Sequence, residues 1–124
     1  TIEMPEYFIH SRRDGIVHVV FKEKVELDFA LQERMMTVYI KICAGEKRPF
    51  MFSAFNDVNI TKEARDNSKK LEDRYPGSAT AVIASSLSYT LIANFYLKVN
   101  KPKTPYKVFK DIPSAEFWLK KFIE

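Results

Sequence analysis

The chain has 124 residues, close to the commonest size of one domain, so we expect residues 1–124 to form a single domain around one core. Apolar residues make up 46% and charged residues 29%, a balance that excludes wholesale disorder. The net charge of +4 is compatible with an anionic partner without establishing one. The single cysteine, Cys43, excludes an intrachain disulfide and indicates a reducing, cytoplasmic environment. The first six residues lack the regions of a signal peptide, so we expect no export.

The first predicted elements are two strands, over residues 7–12 and 16–21. Between them lie Asp14 and Gly15, and an Asp-Gly pair between two β-rich runs is a strong signal for a two-residue hairpin turn. We therefore expect an antiparallel hairpin with this pair at the centre of its turn.

The hairpin turn also predicts where the two histidines lie. With Asp14 and Gly15 at the centre, Ser11 would face His18, and His10 would point to the other side of the sheet. We therefore expect that the two histidines do not hold a metal ion together and that each is an ordinary strand residue.

Helices and strands are expected to alternate after the hairpin. Apolar residues at helical spacing over residues 28–43, with Asp28 as N-cap, predict the first helix. A β-like run over residues 48–54 predicts the third strand, and a charge-rich run over residues 61–75 predicts an exposed second helix. The apolar run over residues 79–84 is typical of a central strand that is covered on both faces.

Residues 78–97 carry no charge, but Ser85 and Ser86 divide them into a strand-sized and a helix-sized piece, which favours buried elements over a membrane span. A strand over Tyr106–Phe109 and a helix that begins at Asp111 follow. The third of four predicted helices is defined by apolar residues at helical spacing: Leu87, Leu91, Ile92, Phe95 and Val99.

The predicted order is ββαβαβαβα. Alternating strands and helices imply right-handed crossovers and parallel pairing, whereas the opening hairpin adds an antiparallel strand. We therefore expect an α/β fold with a mixed, mostly parallel sheet of about five strands and with four helices.

The end of the chain, residues 108–119, runs Val-Phe-Lys-Asp-Ile-Pro-Ser-Ala-Glu-Phe-Trp-Leu. A last strand ending in Phe, followed by a helix that carries Ala and then Trp-Leu, resembles the bacterial SpoIIAA-like group, relatives of the STAS anti-sigma-factor antagonist domains. Together with the element order, this resemblance implies a SpoIIAA-like (STAS-like) fold. It also implies a non-enzymatic regulatory or protein-interaction module with a regulatory protein partner, able to form a homodimer.

In the phosphorylated antagonists of that family, a Ser within an Asp-Ser-Ser-Gly signature begins the helix after the third strand. The matching residues 54–61 lack this signature, although Thr61 occupies a similar helix start. The helix dipole and the free N–H groups would favour a phosphate there, whereas the simpler alternative is that Thr61 is an N-cap.

The same segment has apolar side chains, among them Phe55 and Val58, in a predicted loop. They either fold back onto the core or form a patch on which a partner docks. The sequence therefore predicts a candidate interaction or phospho-switch surface made of Phe55, Asp57, Val58, Asn59 and Thr61.

A second candidate surface is the basic loop before the last predicted strand, where Tyr96 and Tyr106 lie nearby. Basic residues beside aromatic rings can hold a phosphate or a nucleic-acid backbone, and the alternative is a solvated connector. This candidate anion-binding loop comprises Lys98, Lys101, Lys103 and Lys107.

The sequence shows no cluster of side chains typical of catalysis and no glycine-rich phosphate loop. We therefore expect a protein that is not an enzyme, has no cofactor and no metal, binds no nucleic acid and has no membrane span. The alternative function is a domain that binds a small molecule or lipid, as the related Sec14-like folds carry apolar ligands. A sizeable internal cavity would favour this alternative.

Overall fold

A computed structural model describes residues 1–54, 58–84 and 102–123. The predicted third helix lies outside the described residues, as do Phe55, Asp57, Lys98 and Lys101. The strands are β1 Ile2–Glu3, β2 Tyr7–Ser11, β3 Val17–Phe21, β4 Glu26–Leu27, β5 Arg48–Ala54, β6 Asn59–Ile60, β7 Gly77–Ile83 and β8 Tyr106–Phe109. The helices are α1 Phe29–Cys43, α2 Lys62–Leu71 and α3 Ile112–Leu119, and a 3₁₀ turn, Lys120–Phe122, follows α3.

Six strands form the main sheet in the order β1-β2-β3-β5-β7-β8. The pairings β1–β2 and β2–β3 are antiparallel, and β3–β5, β5–β7 and β7–β8 are parallel. This confirms the mixed, mostly parallel sheet, with β1 as an additional edge strand. The strands β4 and β6 pair with each other in a separate small sheet. The strands β1, β4 and β6 have two residues each and are too short to carry a hydrophobic pattern, so the sequence did not predict them.

The hairpin turn between β2 and β3 differs from the predicted one. The N–H of Arg12 donates to the carbonyl of Ile16 at 3.0 Å, and the N–H of Gly15 donates to the carbonyl of Arg12 at 3.2 Å. The loop therefore has three residues rather than two. Gly15 has φ +100°, as expected where a three-residue hairpin loop ends in a residue with positive φ.

The longer loop changes the strand register by one residue. Ser11 lies opposite Val17, and His10 lies opposite His18, so the predicted pairing of Ser11 with His18 is wrong. Because side chains alternate between the two faces of a sheet, this shift places both histidines on the same face. The prediction that they point to opposite sides is therefore also wrong.

Helix α1 agrees with the sequence prediction to within one residue. The carboxylate of Asp28 accepts the N–H of Leu31 at 2.9 Å and caps the helix. The helix ends at Cys43 and is followed by Ala44 and Gly45, which have φ +49° and +87°. Its buried stripe packs on the sheet and comprises Leu31, Met35, Met36, Tyr39 and Cys43.

Helix α2 is shorter than predicted, since it ends at Leu71 rather than Tyr75. Tyr75 precedes Pro76, and a residue before proline is disfavoured in the helical conformation. The N–H groups of Arg74 and Tyr75 both donate to the carbonyl of Leu71 at 3.0 Å, so the helix closes in a tight turn. The ring of Tyr75 then folds back over Gly77, where a Cβ atom would collide with it.

The main sheet separates two hydrophobic clusters. On one face, which we call the α1/α2 face, the cluster includes side chains of β2, β3, β5, α1 and α2. On the opposite face, the α3 face, residues of β5 and β7 pack against α3. Buried residues of this second cluster are Ile16, Met51, Ala79, Ala81, Ala115 and Leu119.

Candidate functional site

A cavity of about 340 Å³ lies on the α1/α2 face. Its walls come from the sheet, from α1 and α2, from β6 and from the segment that leads into β8, and most lining side chains are apolar. Ligand pockets in proteins start at about 300 Å³, so the cavity is large enough for a small molecule. Apolar lining residues include Phe21, Met35, Met36, Phe52, Leu71 and Val82.

Four aromatic rings are arranged beside one another along one wall of the cavity. The centroid of Phe50 lies 5.1 Å from that of Tyr39, 6.0 Å from that of Phe52 and 5.1 Å from that of Tyr75. Phe50 itself is fully buried, while the other three rings line the cavity. Rings that contact one another at these distances hold each other in place, so this wall is preorganised.

Tyr75 also brings a hydroxyl group to the cavity wall. Its phenol oxygen lies 2.6 Å from Oγ1 of Thr80, a hydrogen-bond distance. Burial raises the pKa of Tyr75, and it raises the pKa of Tyr39 well above its ordinary value as well. Both phenols therefore stay neutral at physiological pH, and neither acts as a base.

Glu72 is one of the residues that line the cavity. Its Oε2 atom is buried and accepts no hydrogen bond in the described part of the chain. The Nζ atom of Lys69 lies 3.4 Å away, which is an ion-pair distance without hydrogen-bond geometry. A buried acceptor without a donor costs free energy, so a donor group of a bound molecule would be stabilised at this position.

A hydrogen-bond network fixes α2 against α1 and so holds the cavity walls together. The amide of Asn67 donates to Gln32 and to Glu33, both at 2.9 Å. The amide of Gln32 donates to Oγ of Ser68 at 3.0 Å, and Arg74 donates to Glu33 at 3.0 Å. The hydrogen bonds from Asn67 and from Arg74 lower the pKa of Glu33, so its carboxylate stays ionised. The buried amide of Asn67 is thereby satisfied, which indicates a structural role.

The predicted interaction surface is only partly exposed. Val58 is buried and lines the cavity, so its side chain folds back onto the core and is not part of an exposed patch. Asn59 is exposed, and its backbone N–H bonds to the carbonyl of Val25 at 3.2 Å. The hydroxyl of Thr61 accepts the N–H of Ala64 at 3.2 Å and caps α2.

The two described lysines of the predicted anion-binding loop lie at different sites. Lys103 is at the edge of the cavity and donates to Asp73 at 2.6 Å. Lys107 lies on the α3 face, with its Nζ atom 5.5 Å from the ring centroid of Phe109. Lys103 is therefore already neutralised by a carboxylate, and the two side chains do not form one anion site.

A contact between a histidine of β3 and a serine of β5 was not predicted from the sequence. The Nε2 atom of His18 lies 2.7 Å from Oγ of Ser53, and Nδ1 of His10 lies 2.7 Å from Oγ1 of Thr1. A serine beside a histidine is an element of nucleophilic catalysis, but the histidine then needs an orienting partner. Within the described residues, the other ring nitrogen of His18 has no hydrogen-bond partner. No local pattern in the sequence predicts this contact, because it depends on the register between β3 and β5.

Other site chemistries find no support in the described ranges. No three residues of the types His, Cys, Asp and Glu lie close enough there to hold a metal ion. None of the helices described is both long and apolar enough to cross a membrane. Cys43 is buried, and burial raises the pKa of its thiol, which keeps it in the unreactive protonated form.

The fold is of the SpoIIAA-like type. A solved structure of an uncharacterized DUF3478-family protein with a SpoIIAA-like fold, from Shewanella loihica PV-4, matches with a TM-score of 0.63. The two sequences are 18% identical, and the match covers 91% of this chain and 91% of that chain. This likeness confirms the fold that the C-terminal motif indicated, and at such low identity it shows the fold alone.

The chain belongs to the family described as Domain of unknown function (DUF7793), whose profile matches residues 9–123. A protein of unknown function from Arthrobacter sp. FB24 aligns with 23% identity over 90% of this chain and 97% of that chain. Its TM-score of 0.32 is too low to support a structural argument. No curated protein matches the sequence.

Proposed function

We propose that this domain is a non-enzymatic binding module whose cavity takes a small, largely apolar molecule that bears a hydrogen-bond donor. The observation that supports the proposal is the cavity of about 340 Å³ on the α1/α2 face, with its aromatic wall. The sequence favoured a protein-interaction module, with an apolar-ligand carrier as the alternative. The cavity is the feature that favours the apolar-ligand carrier over the protein-interaction module.

The chemistry of the lining specifies the class of ligand. An apolar body packs against Phe21, Phe52 and Val82, and the flexible thioethers of Met35 and Met36 adapt to its shape. A hydroxyl or a protonated amine of the ligand donates to Oε2 of Glu72. The ligand class is therefore a short-chain or compact amphiphile with a neutral or positively charged polar group.

Binding of decylamine, decanol and decanoate by the purified protein tests this proposal, measured by calorimetric titration. Because a charge-assisted hydrogen bond contributes about 1.5–3 kcal/mol, decylamine should bind at least about tenfold more tightly than decanoate. In the Glu72→Gln variant this preference should fall, whereas Glu63→Gln should keep it, because Glu63 is an exposed glutamate in the first turn of α2, the helix that Glu72 follows.

A cavity-filling variant shows whether the cavity is the site of binding. Val82→Phe adds bulk to the lining and should abolish binding of all three probes. Val20→Phe is the matched control, since Val20 is half-buried on the opposite face of the same sheet, and it should bind like the wild type. If the wild type binds none of the probes, or if both variants lose binding equally, the proposal is wrong.

A second candidate function is the regulatory interaction that the family resemblance implied. We propose that the partly exposed Thr61 at the start of α2 marks a surface through which the domain binds a protein partner or a second copy of itself. Its hydroxyl lies where a phosphate would meet the N–H groups of the first helical turn.

The oligomeric state and partner binding of Thr61→Glu test this second function. Sedimentation and pull-down experiments should differ between the wild type and Thr61→Glu, while Thr37→Glu, at an exposed position of α1, should behave like the wild type. If Thr61→Glu and the wild type retain the same associations, this surface is not the working one.

A further inference from the structure

A second concave surface lies on the α3 face, away from the cavity. It has a volume of about 510 Å³ and is open to solvent. Its walls come from β8, α3 and the turn after α3, and we call it the α3 groove. The lining side chains used below are Lys107, Phe109, Phe117, Trp118 and Lys121.

Phe117 is the most unusual residue of the α3 groove. It is 75% exposed, more than any other large hydrophobic side chain of the described residues. Most of the apolar surface of a phenyl ring is therefore in contact with water, and burying it in a complex would be favourable. A ring at the rim of a groove is typical of a binding surface rather than of a core.

The floor of the α3 groove is rigid. The rings of Phe109 and Trp118 lie 5.6 Å apart, and those of Trp118 and Phe122 lie 5.0 Å apart. Ala115 and Leu119 are fully buried and fix α3 on the sheet. Because the helix and these rings are held in place, the groove does not have to form when a partner arrives.

The charge at the α3 groove is positive. Lys107 and Lys121 line it, and Lys107 is held over the ring of Phe109. The carboxylates of α3 and its cap are engaged elsewhere, since Asp111 accepts the N–H of Ser114 at 2.8 Å and Glu116 pairs with Arg12. An occupant that combines negative charge with an apolar group would complement this lining.

We propose that the α3 groove binds an acidic peptide segment of a partner protein. A Leu, Phe or Trp side chain of the peptide packs against Phe117 and Trp118, and flanking carboxylates pair with Lys107 and Lys121. A second copy of the chain fits less well, because a two-fold contact through this surface would bring the same lysines together. Nucleic acid also fits less well, since the rings of Phe109, Trp118 and Phe122 are already packed on one another.

Trp118 provides a direct readout, because it lies in the α3 groove and is the one tryptophan of the chain. Its fluorescence is followed while a peptide with a central Leu-Phe pair between two Asp-Glu pairs is added. We expect a saturable change that weakens as salt is raised. A peptide with lysines in place of the acids, and an acidic peptide with serines in place of Leu-Phe, should bind at least about tenfold more weakly.

Matched variants locate the binding site. Phe117→Ser and Lys107→Glu should each weaken binding of the acidic peptide at least about tenfold. Phe29→Ser and Lys41→Glu make the same changes at exposed positions of α1 and should bind like the wild type. All four positions are exposed, so folding is preserved, which a circular dichroism spectrum verifies.

Three results would overturn the proposal. One is equal binding of the acidic and the lysine peptides. Another is unchanged binding by Phe117→Ser. The third is a Trp118 response to phosphatidylserine vesicles or to oligo-dT without any response to the peptide. The cavity variant Val82→Phe should retain peptide binding, so this test is independent of the function proposed for the cavity.

Discussion

The two faces of the sheet are packed in different ways. On the α1/α2 face, large side chains such as Phe50 and Met35 fill the space between the sheet and two helices, and a cavity remains among them. On the α3 face, Ala79, Ala81 and Ala115 lie at the contact between the sheet and one helix. Small residues let the helix approach closely, so the space on this face is a groove at the rim rather than a cavity inside.

This difference separates two kinds of binding site within one domain. A cavity among aromatic and thioether side chains suits a small molecule that becomes enclosed, whereas an open groove with lysines at its edges suits a peptide. The cavity and the groove lie on opposite faces of the same sheet, and β7 contributes side chains to both faces. Mutations that damage one face and spare the other can therefore test the assignment.

The largest expected effect is the loss of a core ring on the α1/α2 face. Phe50 is fully buried and contacts three other aromatic rings, so Phe50→Ala should lower the free energy of unfolding by about 3–5 kcal/mol. Leu119→Ala, a fully buried residue on the α3 face, should cost about 2–5 kcal/mol. Urea unfolding monitored by circular dichroism measures both changes.

The two core variants should also differ in what they do to binding. Phe50→Ala removes support from the cavity wall and should weaken decylamine binding. Leu119→Ala removes a buried side chain by which α3 packs on the sheet, and it should weaken peptide binding instead. A loss of less than about 2 kcal/mol for Phe50→Ala would contradict the view that the aromatic cluster is the main core.

A smaller effect is expected from the hydroxyl group in the cavity wall. Tyr75→Phe removes the hydrogen bond to Thr80, whose side chain is buried. Leaving a buried hydroxyl without this partner should cost about 1–3 kcal/mol in the free energy of unfolding. The double variant Tyr75→Phe with Thr80→Val removes both polar groups and should recover part of the loss, measured by the same urea unfolding. Equal stability of wild type and Tyr75→Phe would show that the bond contributes nothing.

The sequence predicted most of the main elements because their signals are local. The N-cap at Asp28, the apolar spacing of α1 and the apolar run of β7 each lie within a few residues of the structure they specify. The fold followed from the alternation of these elements and from the C-terminal motif. The β4 and β6 strands were not predicted, because their pairing joins residues that are distant in the sequence.

The candidate sites were less predictable, because they depend on which side chains share a face. The contact between His18 and Ser53 depends on the register between β3 and β5, which the sequence does not specify locally. Lys103 and Lys107 are close in sequence, yet they lie at the cavity and at the α3 groove. A cavity is a property of packing between distant elements, and no local pattern in the sequence predicts its volume.

The smallest expected effect is a pH dependence that arises at His18. Burial, and then the nearby charges of Arg12 and His10, lower the pKa of His18 below its ordinary value of 6.5, while Glu116 opposes this shift. The unfolded chain therefore binds a proton at a higher pH than the folded one does. The contribution of His18 to stability is present above pH 6.5 and is lost as the pH falls from 6.5 through the folded-state pKa.

Urea unfolding between about pH 7.5 and about pH 5.5 should therefore show the wild type losing stability, and His18→Gln should lose less over the same range. His10→Gln is the control, because it keeps the burial of His18, the largest cause of the shift, and so should retain most of the pH dependence. If the wild type and His18→Gln depend equally on pH, another group is responsible.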